Sequence, residues 1–171
     1  EKDCLVETFS ENAFNGTKLV ELLLPDSLIS IGEYCFGNID TLKSIKINET
    51  ANLQSINYAA FINCSNLESV YIPASVTSMT SSVFANCSNL NSIVVDKNNE
   101  DYTSRDSNGN ECNTIFHKRG SGQASVLIGS NNSIIPSAAE GNYPVVTIVS
   151  NAFSGRQNIK EIFIPKSVTS I

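Results

Sequence analysis

The chain has 171 residues, 41% apolar and 16% charged, which suffices for one domain with a sizeable core and argues against bulk disorder. Eleven Lys and Arg against seventeen Asp and Glu give a net charge of -6, the wrong sign for a phosphate backbone, so nucleic acid is not an expected partner. No apolar run approaches the roughly 20 residues of a membrane-crossing helix, so no membrane insertion is expected, and EKDCLVETF lacks the basic start and apolar stretch of a signal peptide, so any export signal is read as already removed.

Along the chain the dominant feature is repetition. NCSNL occurs at 63–67 and again at 86–90, and YIPASVTSM (71–79) has a counterpart in FIPKSVTSI (163–171). Phe14, Phe36, Phe61, Phe84 and Phe153 are spaced by 22, 25, 23 and 69 residues, the last interval being three periods of 23. Before them stand Ala13, Cys35, Ala60, Val83 and Ala152, all of small or modest volume, and the five rings are read as one buried core column. Two residues after each ring come Gly16, Asn38, Asn63, Asn86 and Gly155, the residue types that best tolerate positive φ. This turn column predicts a single helical turn carrying the Phe, closed by a left-handed residue.

Next in each repeat is a period-two run: LVELLL (19–24), LKSIKI (42–47), LESVYI (67–72), LNSIVV (90–95) and IKEIFI (159–164). Each predicts a short strand, with Val70 and Ile72 inward and Ser69 and Tyr71 outward. Pro25, Pro73 and Pro165 mark strand ends, with Pro136 as a further candidate, and SLISI, SVTSM and SVTSI supply a second apolar pair on the far side of the coil. The spacing irregularities, one residue missing before Leu19 and two extra in NETAN (48–52), fall in connections. Such coils bury their apolar sides only by stacking, about 4.8 Å apart as in any parallel sheet. In the irregular stretch 96–144, TIFHK and SVLIG around a GSGQ turn predict a hairpin, and the 69-residue interval reads as modified coils within the stack. The expected architecture is one solenoid domain over 1–171.

AAFINCSNLESVYIPASVTSM and SNAFSGRQNIKEIFIPKSVTSI share the pattern IPxSVTSIxxxAFxxCxxLxxIxIP, which resembles the BspA-like, Treponema pallidum-type leucine-rich repeats. The resemblance covers the chain except part of 96–144, where DYTSRDSNGNECNTIF is similar to the interrupting segments of these proteins. It implies a right-handed leucine-rich repeat solenoid of the α/β class, built mostly from short parallel strands with short helical turns. It also implies an extracellular or cell-surface location on host-associated bacteria, and adhesion of some members to matrix proteins such as fibronectin or fibrinogen. SVTSI ends in mid-coil, read as a piece of a longer repeat protein. Its uncapped last coil would allow end-to-end association of an otherwise monomeric chain.

The outward strand positions form two columns: Leu23, Lys46, Tyr71, Val94, Phe163, and beside them Val20, Lys43, Glu68, Asn91, Lys160. Tyr71, Phe163, Lys46, Lys43, Glu68, Lys160 and Val94 are the ligand-contact candidates, the exposed rings being typical interface anchors. β-propensity alone would also place Val, Tyr and Phe there. Asn15, Asn48, Asn63, Asn86 and Asn131 begin N-x-S/T sequons, although the repeat already accounts for Asn63 and Asn86 through backbone geometry.

Five cysteines, Cys4, Cys35, Cys64, Cys87 and Cys112, are too scattered for a disulfide framework, and Cys64 and Cys87 share a column as buried thiols. A pairing of Cys112 with His117 lacks an orienting carboxylate. Asp106, Asn108, Asn110 and Glu111 in DSNGNE offer oxygens to a hard cation, but the same letters make a polar Asn-Gly turn. No nucleotide-binding, hydrolase-elbow or zinc-protease motif occurs, so neither catalytic residues nor a cofactor is expected. The leading expectation is a noncatalytic recognition module whose concave strand face or hairpin stretch binds an extracellular protein or glycan. A structural spacer is the alternative, suited by 45 Ser and Asn residues, and an enzyme site within 96–144 is the remote one.

Overall fold

The structure, a computed structural model, describes residues 5–171 apart from the Arg119 side chain, so Cys4 lies outside the described residues. Each of the first four coils contributes two short strands. β1 (Thr8–Phe9), β3 (Ser30–Ile31), β5 (Ser55–Ile56) and β7 (Ser78–Met79) form one parallel sheet. β2 (Glu21–Leu23), β4 (Ser44–Lys46), β6 (Ser69–Ile72) and β8 (Ser92–Val95) form the other. Register follows the sequence period: Thr8 faces Ser30, Ser30 faces Ser55 and Ser55 faces Ser78. Pro25 and Pro73 stand just past β2 and β6, where a missing N–H interrupts no ladder.

The core between the sheets is a stack of rings. Phe14 and Phe36 have centroids 5.0 Å apart, Phe36 and Phe61 5.3 Å, and Phe61 and Phe84 5.4 Å, all with near-parallel planes. Beyond area burial, each offset pair adds about 0.5–1.5 kcal/mol. The rows above and below are Ile31, Ile56 and Met79, and Leu42, Leu67 and Leu90, all buried.

No helix occurs among the described residues, which corrects the expected helical turn. Two left-handed residues bracket the ring in most coils. Gly16, Asn38, Asn63, Asn86 and Gly155 take φ of 70°, 59°, 61°, 59° and 72°. Two residues before the ring, Asn12, Tyr34, Ala59 and Asn151 take 58°, 52°, 54° and 62°. A helix cannot propagate through such alternation, so isolated turns form instead, as in Asn15 N–H to Asn12 O at 3.1 Å. Asparagine in the first column also supplies a side-chain ladder. Asn38 Nδ2 donates to Asn15 Oδ1 at 3.0 Å, Asn63 to Asn38 at 2.7 Å and Asn86 to Asn63 at 2.9 Å.

Residues 96–144 add no strand to either coil sheet, although Tyr102, Ile115, Leu127 and Ile128 join the core of the stack. β9 (Tyr102–Arg105), β10 (Glu111–Arg119), β11 (Gln123–Gly129), β12 (Ala138–Ala139) and β13 (Tyr143–Ile148) make a sheet ordered β12-β13-β11-β10-β9. The predicted hairpin is β10–β11, longer than TIFHK and SVLIG. The sheet curls shut: Asp106 bridges Ala139, Ser107 N–H bonds to Ala138 O at 3.1 Å and Glu140 N–H to Arg105 O at 3.0 Å. Cys112, Phe116, Ala124, Val126, Ile135, Ala139 and Val145 lie in its own apolar cluster.

The 69-residue interval is therefore not three stacked coils. At the turn column the coil of Phe153 lies directly on that of Phe84, with Asn86 N–H bonded to Ser154 O at 3.1 Å. At the ring column the end of β11 is wedged between them. Gly129 N–H bonds to Ala152 O at 2.8 Å, the place Phe61 N–H holds toward Val83 O one coil earlier. Phe153 is half-buried against the second cluster and lies over Gly129, outside the stack of four rings.

Candidate functional site

β2, β4, β6 and β8 carry the outward columns. Leu23 faces Lys46 and Tyr71 faces Val94, while Glu21, Ser44, Ser69 and Ser92 form the row beside them. Lys43, Glu68 and Asn91, with Val20, are exposed just ahead of the strands. Inward Val70, Ile72, Ile93 and Val95 are buried, which holds the alternate positions outward.

Several of these groups are already engaged. Lys46 Nζ lies 3.3 Å from Glu21 Oε2, both side chains exposed. Tyr71 is half-buried and its hydroxyl donates to Asp96 Oδ2 at 2.6 Å. Burial, then this bond to a carboxylate, pushes the Tyr71 phenol well above the ordinary tyrosine range. The same hydroxyl, with the Asn98 N–H, holds Asp96 below the usual carboxylate range. Tyr71 thus offers a fixed ring face, while Lys43, Glu68 and Leu23 offer side chains unengaged among the described residues.

Phe163 and Lys160 are not on this sheet. The outer edge of β8 is closed by side chains: Val95 N–H bonds to Ser104 Oγ at 2.9 Å, and the Asn91 carbonyl accepts from Ser130 Oγ at 3.3 Å and Asn132 Nδ2 at 3.2 Å. Residues 159–164 consequently form no strand, and Phe163 is 80% exposed. The chain rejoins its neighbours over 167–170, where Ser167 Oγ donates to Ser137 O at 3.2 Å, Thr169 N–H to Val146 O at 2.9 Å, and Ser170 bridges Thr147.

Cys64 Sγ donates to Phe36 O and Cys87 Sγ to Phe61 O, each at 3.2 Å, and both cysteines are free and buried. Cys112 and His117 are five residues apart on β10, about 16 Å along a strand. The Cys112 thiol is buried in the second cluster, and burial pushes it up to about 11, while the His117 ring lies tilted by 30° against that of Tyr102, centroids 5.1 Å apart. Asp106 Oδ1 accepts the N–H of Asn108 at 2.8 Å and of Asn110 at 2.9 Å, and Glu111 Oε1 pairs with Arg105 Nε at 2.8 Å. Among the described residues no three His, Cys, Asp or Glu side chains are placed to share a metal ion. No helix among them is long and apolar enough to cross a membrane.

One functional position escaped sequence reasoning. Arg156 is 8% exposed and donates to Gly129 O at 2.7 Å, Cys87 O at 2.9 Å and Phe84 O at 3.1 Å. It occupies the column of Cys64 and Cys87, three residues after the ring, and that substitution was its available signal.

The chain aligns over 94% of its length with a leucine rich cell surface protein of Faecalibacterium prausnitzii, at 21% identity and TM-score 0.75, covering 40% of that protein. It aligns over 98% with the pneumococcal vaccine antigen PcpA, at 20% identity and TM-score 0.65, covering 45% of it. A leucine-rich repeat protein of Eubacterium ventriosum aligns over 96%, at 20% identity and TM-score 0.59, with 53% of its own length covered. These likenesses show a shared fold, and the chain spans about half or less of each. No curated protein sequence matches. The model of the BspA type leucine rich repeat region matches six copies over residues 7–115 and 131–171. The chain belongs to the BspA type leucine rich repeat family.

Proposed function

We propose that this chain is a noncatalytic recognition module of an extracellular or cell-surface protein, binding a protein segment or glycan along the face of β2, β4, β6 and β8. The observation that carries this reading is the row Leu23, Lys46, Tyr71 and Val94, held outward by a rigid parallel sheet, with Lys43 and Glu68 beside it. The thiols of Cys35, Cys64, Cys87 and Cys112 are buried, and Asp96, Asp106 and Glu111 are already hydrogen-bonded or paired, so the reactive groups named here favour packing over chemistry. A surface location is supported by the similar Faecalibacterium protein, itself a leucine rich cell surface protein.

Size narrows the ligand. Four strands span about 14 Å and their three or four residues run about 10–13 Å, giving a patch of about 140–180 Å². A stable protein interface needs about 800 Å² per partner. This face by itself suits an extended peptide or a few sugar rings, and a larger protein ligand would have to engage further coils or the closed sheet as well.

Immobilised protein is to be tested against fibronectin, fibrinogen and a glycan array, with Tyr71→Ala and Lys43→Glu variants alongside. Binding that survives both substitutions removes the strand face as the site. A spacer role is the second reading, supported by the many Ser and Asn residues of the coils, and it predicts no binding in any arm.

A further inference from the structure

Glycine follows only two of the 21 asparagines, at Asn15-Gly16 and Asn108-Gly109. This dipeptide is prone to self-modification because a glycine amide nitrogen, unshielded by a Cβ, can reach the asparagine side-chain carbonyl carbon. The fold treats the two very differently. The Asn15 carboxamide is held at both ends, its Nδ2 donating to Asn12 Oδ1 at 2.8 Å and its Oδ1 accepting from Asn38 Nδ2 at 3.0 Å. Gly16 N–H is fixed in the inter-coil ladder on Gly37 O at 2.9 Å. The space where a side chain would stand is open to 4 Å at both glycines, so the difference lies in the carboxamide: that of Asn108 is exposed and makes no hydrogen bond among the described residues. Gly109 N–H makes one local bond, to Asp106 O at 3.0 Å, at the tip of a surface turn.

We propose that Asn108 is a site of spontaneous deamidation in the folded protein and that Asn15 is protected. The Gly109 amide nitrogen, giving its proton to solvent hydroxide, bonds to Asn108 Cγ. The Cγ–Nδ2 bond breaks and ammonia leaves, taking a proton from water. Water then opens the cyclic imide at either carbonyl, yielding aspartate or isoaspartate. The product places a new carboxylate in the turn held by Asp106, whose Oδ1 accepts the Asn108 N–H. Isoaspartate also adds a methylene to the backbone two residues from the Asp106–Ala139 bridge that shuts the β-sheet, so that closure should loosen as the modification accumulates.

The test is prolonged incubation of the folded chain at mildly alkaline pH, followed by tryptic mass spectrometry and isoaspartyl methyltransferase labelling. Peptide 106–118 should convert several-fold faster than peptide 3–18, and incubation in urea should erase the difference. Amide exchange at Ser107 and Glu140 should rise in step with conversion, and Asn108→Gln should abolish both changes. An intact Asn108 after incubation, or equal conversion of Asn15 in the folded chain, overturns the proposal.

Discussion

Arg156 Nη2 donates to the carbonyl of Phe84 at 3.1 Å, the relation that Cys87 Sγ holds to Phe61 one coil earlier at 3.2 Å. A thiol suffices where coils lie at strand spacing. Here the end of β11 prises the two coils apart at the ring column, and only a long side chain with several donors spans the gap. Among the described residues Arg156 meets no carboxylate: its acceptors are backbone carbonyls, and burial lowers its pKa from the ordinary arginine value. Arg156→Cys restores the residue type of the column yet should destabilise, because the carbonyls of Phe84, Cys87 and Gly129 lose their donor. Unsatisfied buried carbonyls cost about 1–3 kcal/mol each, so a loss of about 3 kcal/mol or more is expected. Urea unfolding checks this through a lowered midpoint, and a variant as stable as the parent would show the gap can close.

The stack was legible because each coil solves one steric problem with the same letters. The Phe ruler located the four stacked rings, and alternation located β2, β4, β6 and β8. What failed shared a physical origin, since a period carries no information about which coil lies next to which. The interval from Phe84 to Phe153 satisfied the period while the chain between them folded into a closed sheet that packs Tyr102, Ile115, Leu127 and Ile128 into the core of the stack. Phe163 and Lys160 were placed on the strand face by pattern alone, although edge capping of β8 by Ser104 and the turn at 130–132 is invisible to periodicity. The second left-handed column was equally hidden, because Tyr34 and Ala59 are not residues that announce positive φ.

Asn63 combines a left-handed backbone with two ladder bonds, and the two contributions can be separated. Asn63→Gly keeps φ near 61° without strain and removes the bonds to Asn38 and from Asn86. Asn63→Ala removes the same bonds and forces a Cβ into a conformation that costs about 1–2 kcal/mol. Alanine should therefore be the more damaging, by about 1 kcal/mol after glycine's entropy is counted. Thermal melts of the two variants decide it, and equal melting temperatures would mean the turn does not need its φ.

Gly129 is the point where the inserted strand passes under Phe153. A Cβ at this position would fall on the Phe153 ring itself, and Gly129 N–H and C=O are both committed, to Ala152 O and from Arg156 Nε. Gly129→Ala should displace Phe153 and cost about 1–3 kcal/mol, the usual range for overpacking. The damage should be local, with amide protection lost in 145–156 and kept around Phe36 and Phe61. Uniform loss across the chain would contradict a junction confined to the last coil.

The bond from Tyr71 to Asp96 requires a protonated phenol and an ionised carboxylate, which fixes its pH window. The Tyr71 pKa is raised by burial and by Asp96, so its stabilisation is complete below the ordinary tyrosine value of about 10 and fades as pH rises toward the raised one. The Asp96 pKa is lowered, so its stabilisation is present above about 3.9 and fades as pH falls through the depressed value. Tyr71→Phe should lower the melting temperature most between these limits, and the gap from the parent chain should narrow at both extremes. The difference in phenolate absorbance between the two proteins should show one tyrosine titrating late. Should the melting gap stay constant across the whole range, Tyr71 contributes ring packing alone, and its hydroxyl would be free to meet a ligand on the strand face.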